Sequence, residues 1–216
     1  VERYRVLCLV ALGRSADDTI AIAIVYDTSG SMKDRVKGGA KKEPKYVIGN
    51  RALESIVGRL EKFKAAGGPP LHVGLWTFSR TGGQVAVPLA PFDPAAFRNW
   101  IAGFDKPTGG TPLGNAVGQA AAALLQTKAA SRHVLVITDG MNTIGPKPEQ
   151  TLLVHTDAAL KKGEPLYFHF VAFDIDAKVF AGVKKQGATL LGAADEAQLN
   201  GQLAMILEEK ILLEKQ

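Results

Sequence analysis

Cysteine is almost absent from this 216-residue sequence, with Cys8 as the single example, so an intrachain disulfide framework is excluded. No apolar run approaches the roughly 20 residues that a membrane-spanning helix needs. The basic residues give a net charge of only +5 and form no stripe with interleaved aromatic residues, which argues against a nucleic-acid-binding protein. What the chain does have is 46% hydrophobic residues, enough to bury a large core.

The N-terminal segment, residues 1–18, combines features of an arm with features of a secretory signal. Two arginines, Arg3 and Arg5, precede a short apolar run over residues 6–12, as they do in a signal. The run is short, however, and Arg14 lies where a cleavage site would have a small residue. We interpret residues 1–18 as an N-terminal arm, with an atypical signal remnant as the alternative, and residues 19–216 as a single domain.

Several continuously apolar stretches are typical of parallel strands that are covered on both faces. They span residues 20–26, 71–78, 133–138 and 166–173, with 188–193 as a weaker candidate. The segment 80–90 differs, because Gly82 and Gly83 separate two short β-like pieces. We expect a hairpin there, with an antiparallel edge strand that ends near Pro88.

Helical patterns alternate with these strands. Apolar residues recur at three- and four-residue spacing between Pro44 and Gly67, and Asp93 and Pro94 have the residue types of a helix start. The predicted helices follow Pro44 and cover residues 94–101, 113–124, 150–162, 177–186 and 196–213. This alternation predicts an α/β fold: a doubly wound, mostly parallel sheet of about six strands, with one antiparallel edge strand and helices on both faces.

The first strand ends in the sequence DTSGS, which brings Asp27, Ser29 and Ser31 to alternate positions. Thr111 opens a helix after a glycine-rich loop, and Asp139 follows the fourth strand. Ligands of doubly wound sheets bind beyond the carboxyl ends of the strands, so we expect these five oxygen-bearing side chains to surround one point. Two carboxylates that face each other there would repel unless a cation lay between them. All-oxygen ligands predict a divalent cation, with Mg²⁺ expected and Mn²⁺ or Ca²⁺ as alternatives.

These five residues match the pattern D-x-S-x-S, then threonine, then aspartate, so the sequence resembles a bacterial-type von Willebrand factor type A (VWA) domain with a complete metal-ion-dependent adhesion site. The resemblance covers roughly residues 19–195. It implies that Ser29, Ser31 and Thr111 bind the ion directly, and that Asp27 and Asp139 bind it directly or through water. It also implies that the remaining position accepts an Asp or Glu from a protein partner, and that the last helix moves when the coordination changes.

The expected function is therefore a metal-dependent protein-binding module for adhesion or assembly, and not an enzyme. A scaffold or partner subunit of an AAA+ ATPase assembly is the alternative, and a metal-dependent hydrolase is a weaker one. The glycine-rich loop lacks a phosphate-gripping lysine, and no histidine lies near Ser29 or Ser31 in sequence. The four histidines have no metal-ligand spacing and are interpreted as structural. Compartment and oligomeric state stay open, with cytoplasm and bacterial envelope both compatible.

Three neighbouring features have two interpretations each. The basic cluster over residues 33–45 is either a solvated loop or an attraction for an acidic partner. Asp174 and Asp176 follow the fifth strand, where they either tune the site or contact a partner, while Asp176 also suits a helix N-cap. Asn142 suits either a turn or a role behind the metal ligands.

Overall fold

Six strands form one sheet in the order β3-β2-β1-β4-β5-β6 in the computed structural model, which describes residues 18–38, 42–78 and 82–212. β3 pairs antiparallel with β2 at one edge, and every other pairing is parallel. The strands are β1 (Ile20–Tyr26), β2 (Leu71–Phe78), β3 (Gly83–Pro91), β4 (Ser131–Thr138), β5 (Leu166–Phe173) and β6 (Thr189–Ala193). The predicted fold class is confirmed.

Helices cover both faces of this sheet. They are α1 (Lys45–Ala65), α2 (Pro94–Gly103), α3 (Leu113–Leu124), α4 (Pro148–Lys162), α5 (Ala181–Lys185) and α6 (Glu196–Ile206). Short 3₁₀ turns at Gly30–Lys33 and Ala177–Phe180 and a π turn at Leu207–Ile211 complete the helical structure of the described residues. Among these helices, none combines the length and the apolarity that crossing a bilayer requires.

The unbroken apolar run of β1 follows from its place in the middle of the sheet, where all seven of its residues are buried. Ile20, Ile22 and Ile24 lie in the core that includes buried residues of α1, α2 and α6. Ala21, Ala23 and Val25 lie in the second core, on the side of α3 and α4. An alternating apolar and polar pattern would have left one of these helical layers without a partner.

Two elements differ most from the sequence prediction. The edge strand β3 continues to Pro91 instead of ending near Pro88, and it pairs antiparallel with β2. The predicted β-like piece before Gly82 lies outside the described residues. Pro88 is tolerated because this strand lies at the edge and because the pairing shifts register near Leu75. The helix expected over 177–186 is divided into a 3₁₀ turn and the short α5.

The chain ends lie partly outside the described residues. The predicted N-terminal arm or signal remnant is one such case, since residues 1–17 are not described. The last helix is described to Leu212, and it changes from α to π geometry at Leu207.

Candidate metal site

The candidate site lies where the two central strands end side by side. β1 and β4 are parallel neighbours, with Tyr26 opposite Ile137, and the Asp27 amide extends this pairing by donating to the Ile137 carbonyl at 3.0 Å. Asp139 lies two residues beyond Ile137. The sheet therefore brings Asp27 and Asp139 to one edge, as the sequence predicts.

Hydrogen bonds within the DTSGS loop set the directions of its side chains. The Ser29 amide donates to Asp27 Oδ1 at 2.8 Å, which is the turn that aspartate commonly forms two residues ahead. Ser29 Oγ lies 3.1 Å from Ser31 Oγ, and Ser31 Oγ donates to Asp139 Oδ1 at 2.8 Å. Ser31 Oγ thereby links the Ser29 hydroxyl to one oxygen of Asp139.

The loop before α3 is joined to the DTSGS loop through its backbone. The Gly30 amide donates to the Gly109 carbonyl at 3.0 Å, and the Thr108 amide donates to the Thr28 carbonyl at 2.9 Å. These bonds place Thr111 beside the end of β1, although about 80 residues separate the two loops in sequence.

Gly140 marks the point on which the side chains converge. A Cβ built on Gly140 would lie 3.4 Å from Thr111 Oγ1, 3.7 Å from Ser31 Oγ and 3.9 Å from Asp27 Oδ2. Ser29 and Asp139 join this group through Ser31. The structure therefore brings all five predicted residues together, and four of the five are buried.

Burial makes a negative charge at Asp27 unfavourable. Asp27 is fully buried, and its burial together with the negative charge of Asp139 raises its pKa from 3.8 to about 6. Hydrogen bonds from Ser29 and Thr138 oppose this rise, and Thr138 Oγ1 donates to Asp27 Oδ2 at 2.6 Å. Burial and the charges of Asp27 and Asp139 also raise the pKa of the adjacent Tyr26 phenol. The surroundings of Asp27 thus disfavour its negative charge, and a cation bound beside it would offset this cost.

Thr143 and Asn142 support the site from behind. Thr143 Oγ1 accepts from the Thr111 amide at 2.8 Å, and the Thr143 amide donates to the Thr111 carbonyl at 2.9 Å. Asn142 Oδ1 accepts from the Gly114 amide at the start of α3. Asn142 therefore anchors α3, while Thr143, whose role the sequence analysis missed, holds Thr111 in place.

Gly114 is required where α3 meets this supporting loop. A Cβ on Gly114 would lie 2.0 Å from the Pro146 carbonyl oxygen and 2.9 Å from its carbon, both of which are backbone atoms. We therefore expect Gly114→Ala to lower the free energy of unfolding by about 1–3 kcal/mol, measured by chemical denaturation. The matched control is Gly58→Ala in α1, where nothing lies within 4 Å of the added methyl group and alanine is the better helix former. Equal responses of the two variants would contradict the clash.

Lys45 is the main residue that the sequence analysis misplaced. In sequence Lys45 belongs to the basic cluster over 33–45, but in the structure its side chain is only 6% exposed. Its Nζ lies 2.9 Å from Asp139 Oδ2 and 3.2 Å from Asp174 Oδ2. Burial lowers the pKa of Lys45, but the two carboxylates more than offset this and leave its pKa raised, so the ammonium is charged. Lys33, Arg35 and Lys37 of the same cluster are exposed.

The donor set fits a hard divalent cation. In the described ranges, no group of three or more His, Cys, Asp or Glu side chains has a metal-binding arrangement, so hydroxyl groups would have to supply part of the coordination. Ser31 Oγ, Thr111 Oγ1 and Asp27 Oδ2 around one point provide such oxygens.

Asp176 accepts from the Lys178 amide at the start of its 3₁₀ turn, which confirms the N-cap interpretation.

Comparisons with known proteins identify the fold. The TM-score is 0.65 for the PilB minor pilin from Streptococcus sanguinis, at 14% identity over 91% of this chain and 62% of that one. It is 0.63 for the SpRpn10 VWA domain, at 13% identity over 89% of this chain and 96% of that one. Proximal thread matrix protein 1 from the mussel byssus, with a zinc-occupied MIDAS motif, gives 0.58 at 16% identity, over 88% of this chain and 48% of that one. This chain thus spans less than two thirds of the pilin and about half of the byssus protein.

Sequence comparison is more specific than these structural likenesses. Among curated protein sequences no significant match was found. The profile of the von Willebrand factor type A domain, however, matches residues 22–142, which is more than half of the chain and includes all five converging side chains. The chain belongs to the von Willebrand factor type A domain family.

Proposed function

We propose that this chain is a metal-dependent protein-binding module of bacterial type, with a complete metal-ion-dependent adhesion site. The ion would be held by Asp27, Ser29, Ser31, Thr111 and Asp139. The observation that carries the proposal is the convergence of three side-chain oxygens, from two loops that are distant in sequence, within 4 Å of one point beside Gly140 in a third loop. Turn or capping roles explain each residue alone, but they do not explain why all three face that point.

Mg²⁺ is the proposed cation, with Mn²⁺ and Ca²⁺ as alternatives. Hydroxyl and carboxylate oxygens are hard ligands, and the small number of carboxylates suits an ion that keeps several waters. The byssus protein whose MIDAS motif is described as zinc-occupied supports a divalent ion at this position of the fold. Zinc is not the first choice for this chain, because none of the five residues offers nitrogen or sulfur.

The proposed partner is a protein that presents an Asp or Glu to the ion. The bound ion supplies a Lewis-acidic position that a carboxylate can occupy. The residues of this chain would fix the geometry around that position, since the DTSGS loop and the loop before α3 are joined by backbone bonds and Thr143 accepts from the Thr111 amide. Family membership and the likeness to a minor pilin support adhesion or assembly as the setting.

We propose binding without catalysis. Among the described hydrogen bonds of the Ser29 and Ser31 hydroxyl groups, the partners are the other hydroxyl and the carboxylates of Asp27 and Asp139, and no histidine is among them. Nucleophilic catalysis commonly uses a histidine base at such a hydroxyl, and the carboxylate that accepts from Ser31 is itself paired with Lys45. A phosphoester turnover assay with Mg²⁺ and Mn²⁺ should therefore give no rate above that of the metal alone.

Metal binding can be tested by isothermal titration calorimetry and thermal unfolding with MgCl₂ and MnCl₂. We expect the parent to bind one ion per chain and to unfold at a higher temperature as the metal concentration rises, because binding to the native state alone stabilises it. Ser31→Ala and Thr111→Val each remove a proposed ligand oxygen and should weaken binding at least about tenfold, the equivalent of roughly 1.4 kcal/mol.

The matched control is Ser131→Ala, because Ser131 is a buried serine at the opposite end of β4. It should bind the metal as the parent does. A parent that binds no divalent cation would refute the proposal, and so would Ser31→Ala and Thr111→Val variants that bind as tightly as Ser131→Ala.

A further inference from the structure

A buried ammonium lies directly behind the proposed metal ligands. Lys45 is the first residue of α1, and its Nζ contacts Asp139 Oδ2 at 2.9 Å and Asp174 Oδ2 at 3.2 Å. The side chains of all three residues are at most 6% exposed. The five proposed ligands are all oxygen-bearing side chains, and they do not account for this positive charge.

Asp174 is held in an unusual conformation to make this contact. Its φ angle is +54°, the one positive value among non-glycine residues of the described ranges. Asp174 Oδ1 accepts from the Lys37 amide at 3.1 Å, and the Asp174 amide donates to the Ala193 carbonyl at 2.7 Å. Strained backbone persists where its surroundings fix it, and it concentrates at functional sites.

Lys45 divides the two oxygens of Asp139 between different partners. Oδ1 accepts from Ser31 Oγ at 2.8 Å, on the side of the proposed ion, while Oδ2 is occupied by the ammonium. Asp139 therefore offers one oxygen to the site. The ammonium and Ser31 Oγ contact different oxygens of this one carboxylate, so the positive charge lies close to the proposed ion and would repel it.

We propose that Lys45 is a positioning residue that limits the affinity of the site for a divalent cation, by its charge and by its hold on Asp139 Oδ2, and that Asp174 partly offsets this effect. The inference rests on the proposed metal site. Asp27, Asp139 and Asp174 against Lys45 leave a local charge of about −2 in the parent. Removal of the lysine makes this −3, and removal of the Asp174 charge makes it −1. The two changes should therefore shift affinity in opposite directions.

The test compares Kd for MgCl₂, measured by calorimetry, in Lys45→Met, Asp174→Asn and the double variant. Lys45→Met should bind Mg²⁺ at least about tenfold more tightly than the parent, the factor that a unit charge exerts on a dication at this range even with the dielectric constant of water. Asp174→Asn should bind more weakly than the parent. The double variant should bind at least about tenfold more tightly than Asp174→Asn, from which it differs only at residue 45.

A second readout separates this role from a purely structural one. Unfolding in EDTA should show that Lys45→Met is less stable than the parent, because two buried carboxylates lose their partner. If Lys45 were purely structural, Lys45→Met would lower both the stability and the metal affinity of the protein. The proposal instead predicts lower stability and higher affinity. If Lys45→Met does not fold, the double variant still tests the proposal, because it removes the ammonium together with one of its two carboxylates.

Lys33→Met is the matched control, since it removes the same charge from an exposed position of the neighbouring turn. Its Kd should stay within about threefold of the parent, because solvent screens exposed charges. If removal of Lys45 tightens binding neither in the parent nor in Asp174→Asn, the inference is overturned while the metal site stays intact. Absence of binding in the parent and in every variant would instead refute the metal site itself. Binding in Lys45→Met without binding in the parent would refute metal binding as the function of the parent, although it would show that Lys45 opposes binding.

Discussion

Asp27→Asn should make the metal-free protein more stable at pH 7 and abolish its response to Mg²⁺. Burial and the Asp139 charge raise the pKa of Asp27 from 3.8 to about 6, so the folded state holds a proton at this carboxyl more tightly than the unfolded state does. Ionisation at pH 7 therefore costs folding free energy, up to about 3 kcal/mol at 1.36 kcal/mol per pKa unit. Asparagine removes that cost and keeps an oxygen for the Ser29 amide, but it removes a charged metal ligand.

The measurement is chemical denaturation in EDTA at several pH values, followed by repetition with saturating MgCl₂. The advantage of Asp27→Asn should be largest above pH 6 and should vanish below about pH 4, where the carboxyl is protonated in both folded and unfolded states. Asp157→Asn, at an exposed residue of α4, should change stability by less than about 0.5 kcal/mol at any pH. A metal-free Asp27→Asn protein that is less stable than the parent at pH 7 would show that the hydrogen bonds of Asp27 outweigh its desolvation.

The parts of the fold that the sequence predicts well are those governed by local periodicity. The apolar run of β1 and the three- and four-residue spacing in α1 determine their elements, since each pattern matches one geometry. The Asp27 and Asp139 positions follow from strand ends and from parallel topology. The convergence of the five oxygen-bearing side chains could therefore be predicted, although the metal itself stays a proposal.

Features that depend on long-range contacts could not be read from the sequence. Lys45 stands in a run of basic residues, and only the positions of Asp139 and Asp174 distinguish it from its exposed neighbours. The extension of β3 past Pro88 depends on which strand is at the edge, and the positive φ of Asp174 depends on its contacts with Lys37 and Ala193. A single chain carries no local signal for either of these.

The histidines are interpreted as structural, and two of them form a buried pair that should have a large effect on stability at low pH. His133 on β4 and His169 on β5 stack at 5.5 Å between ring centroids, with Nδ1 of His133 lying 3.2 Å from Nε2 of His169. Burial, and then the charge of the other histidine, lowers the pKa of His133 to about 3. Burial, and then the charge of Lys210, lowers the pKa of His169 to about 4. Both rings are therefore neutral in the folded state at pH 7.

Acid should destabilise the protein through this pair. Between the folded values and the ordinary histidine pKa of 6.5, the unfolded state binds more protons than the folded state, so stability is fully present above pH 6.5 and falls as the pH approaches 4. At 1.36 kcal/mol per pKa unit, the expected loss is about 3 kcal/mol for each histidine. The measurement is the free energy of unfolding in EDTA from pH 7 to pH 4.

The double variant His133→Leu with His169→Leu should lose much less stability over this interval, because it removes both proton acceptors and leaves neither ring without its partner. The quantity compared is the difference in free energy of unfolding between parent and variant at each pH. This difference cancels the contribution of Asp27, whose protonation stabilises the folded state as the pH falls. His72→Gln, at a partly exposed position of β2, should follow the parent. A double variant whose stability falls in parallel with that of the parent would show that the acid sensitivity does not arise from this histidine pair.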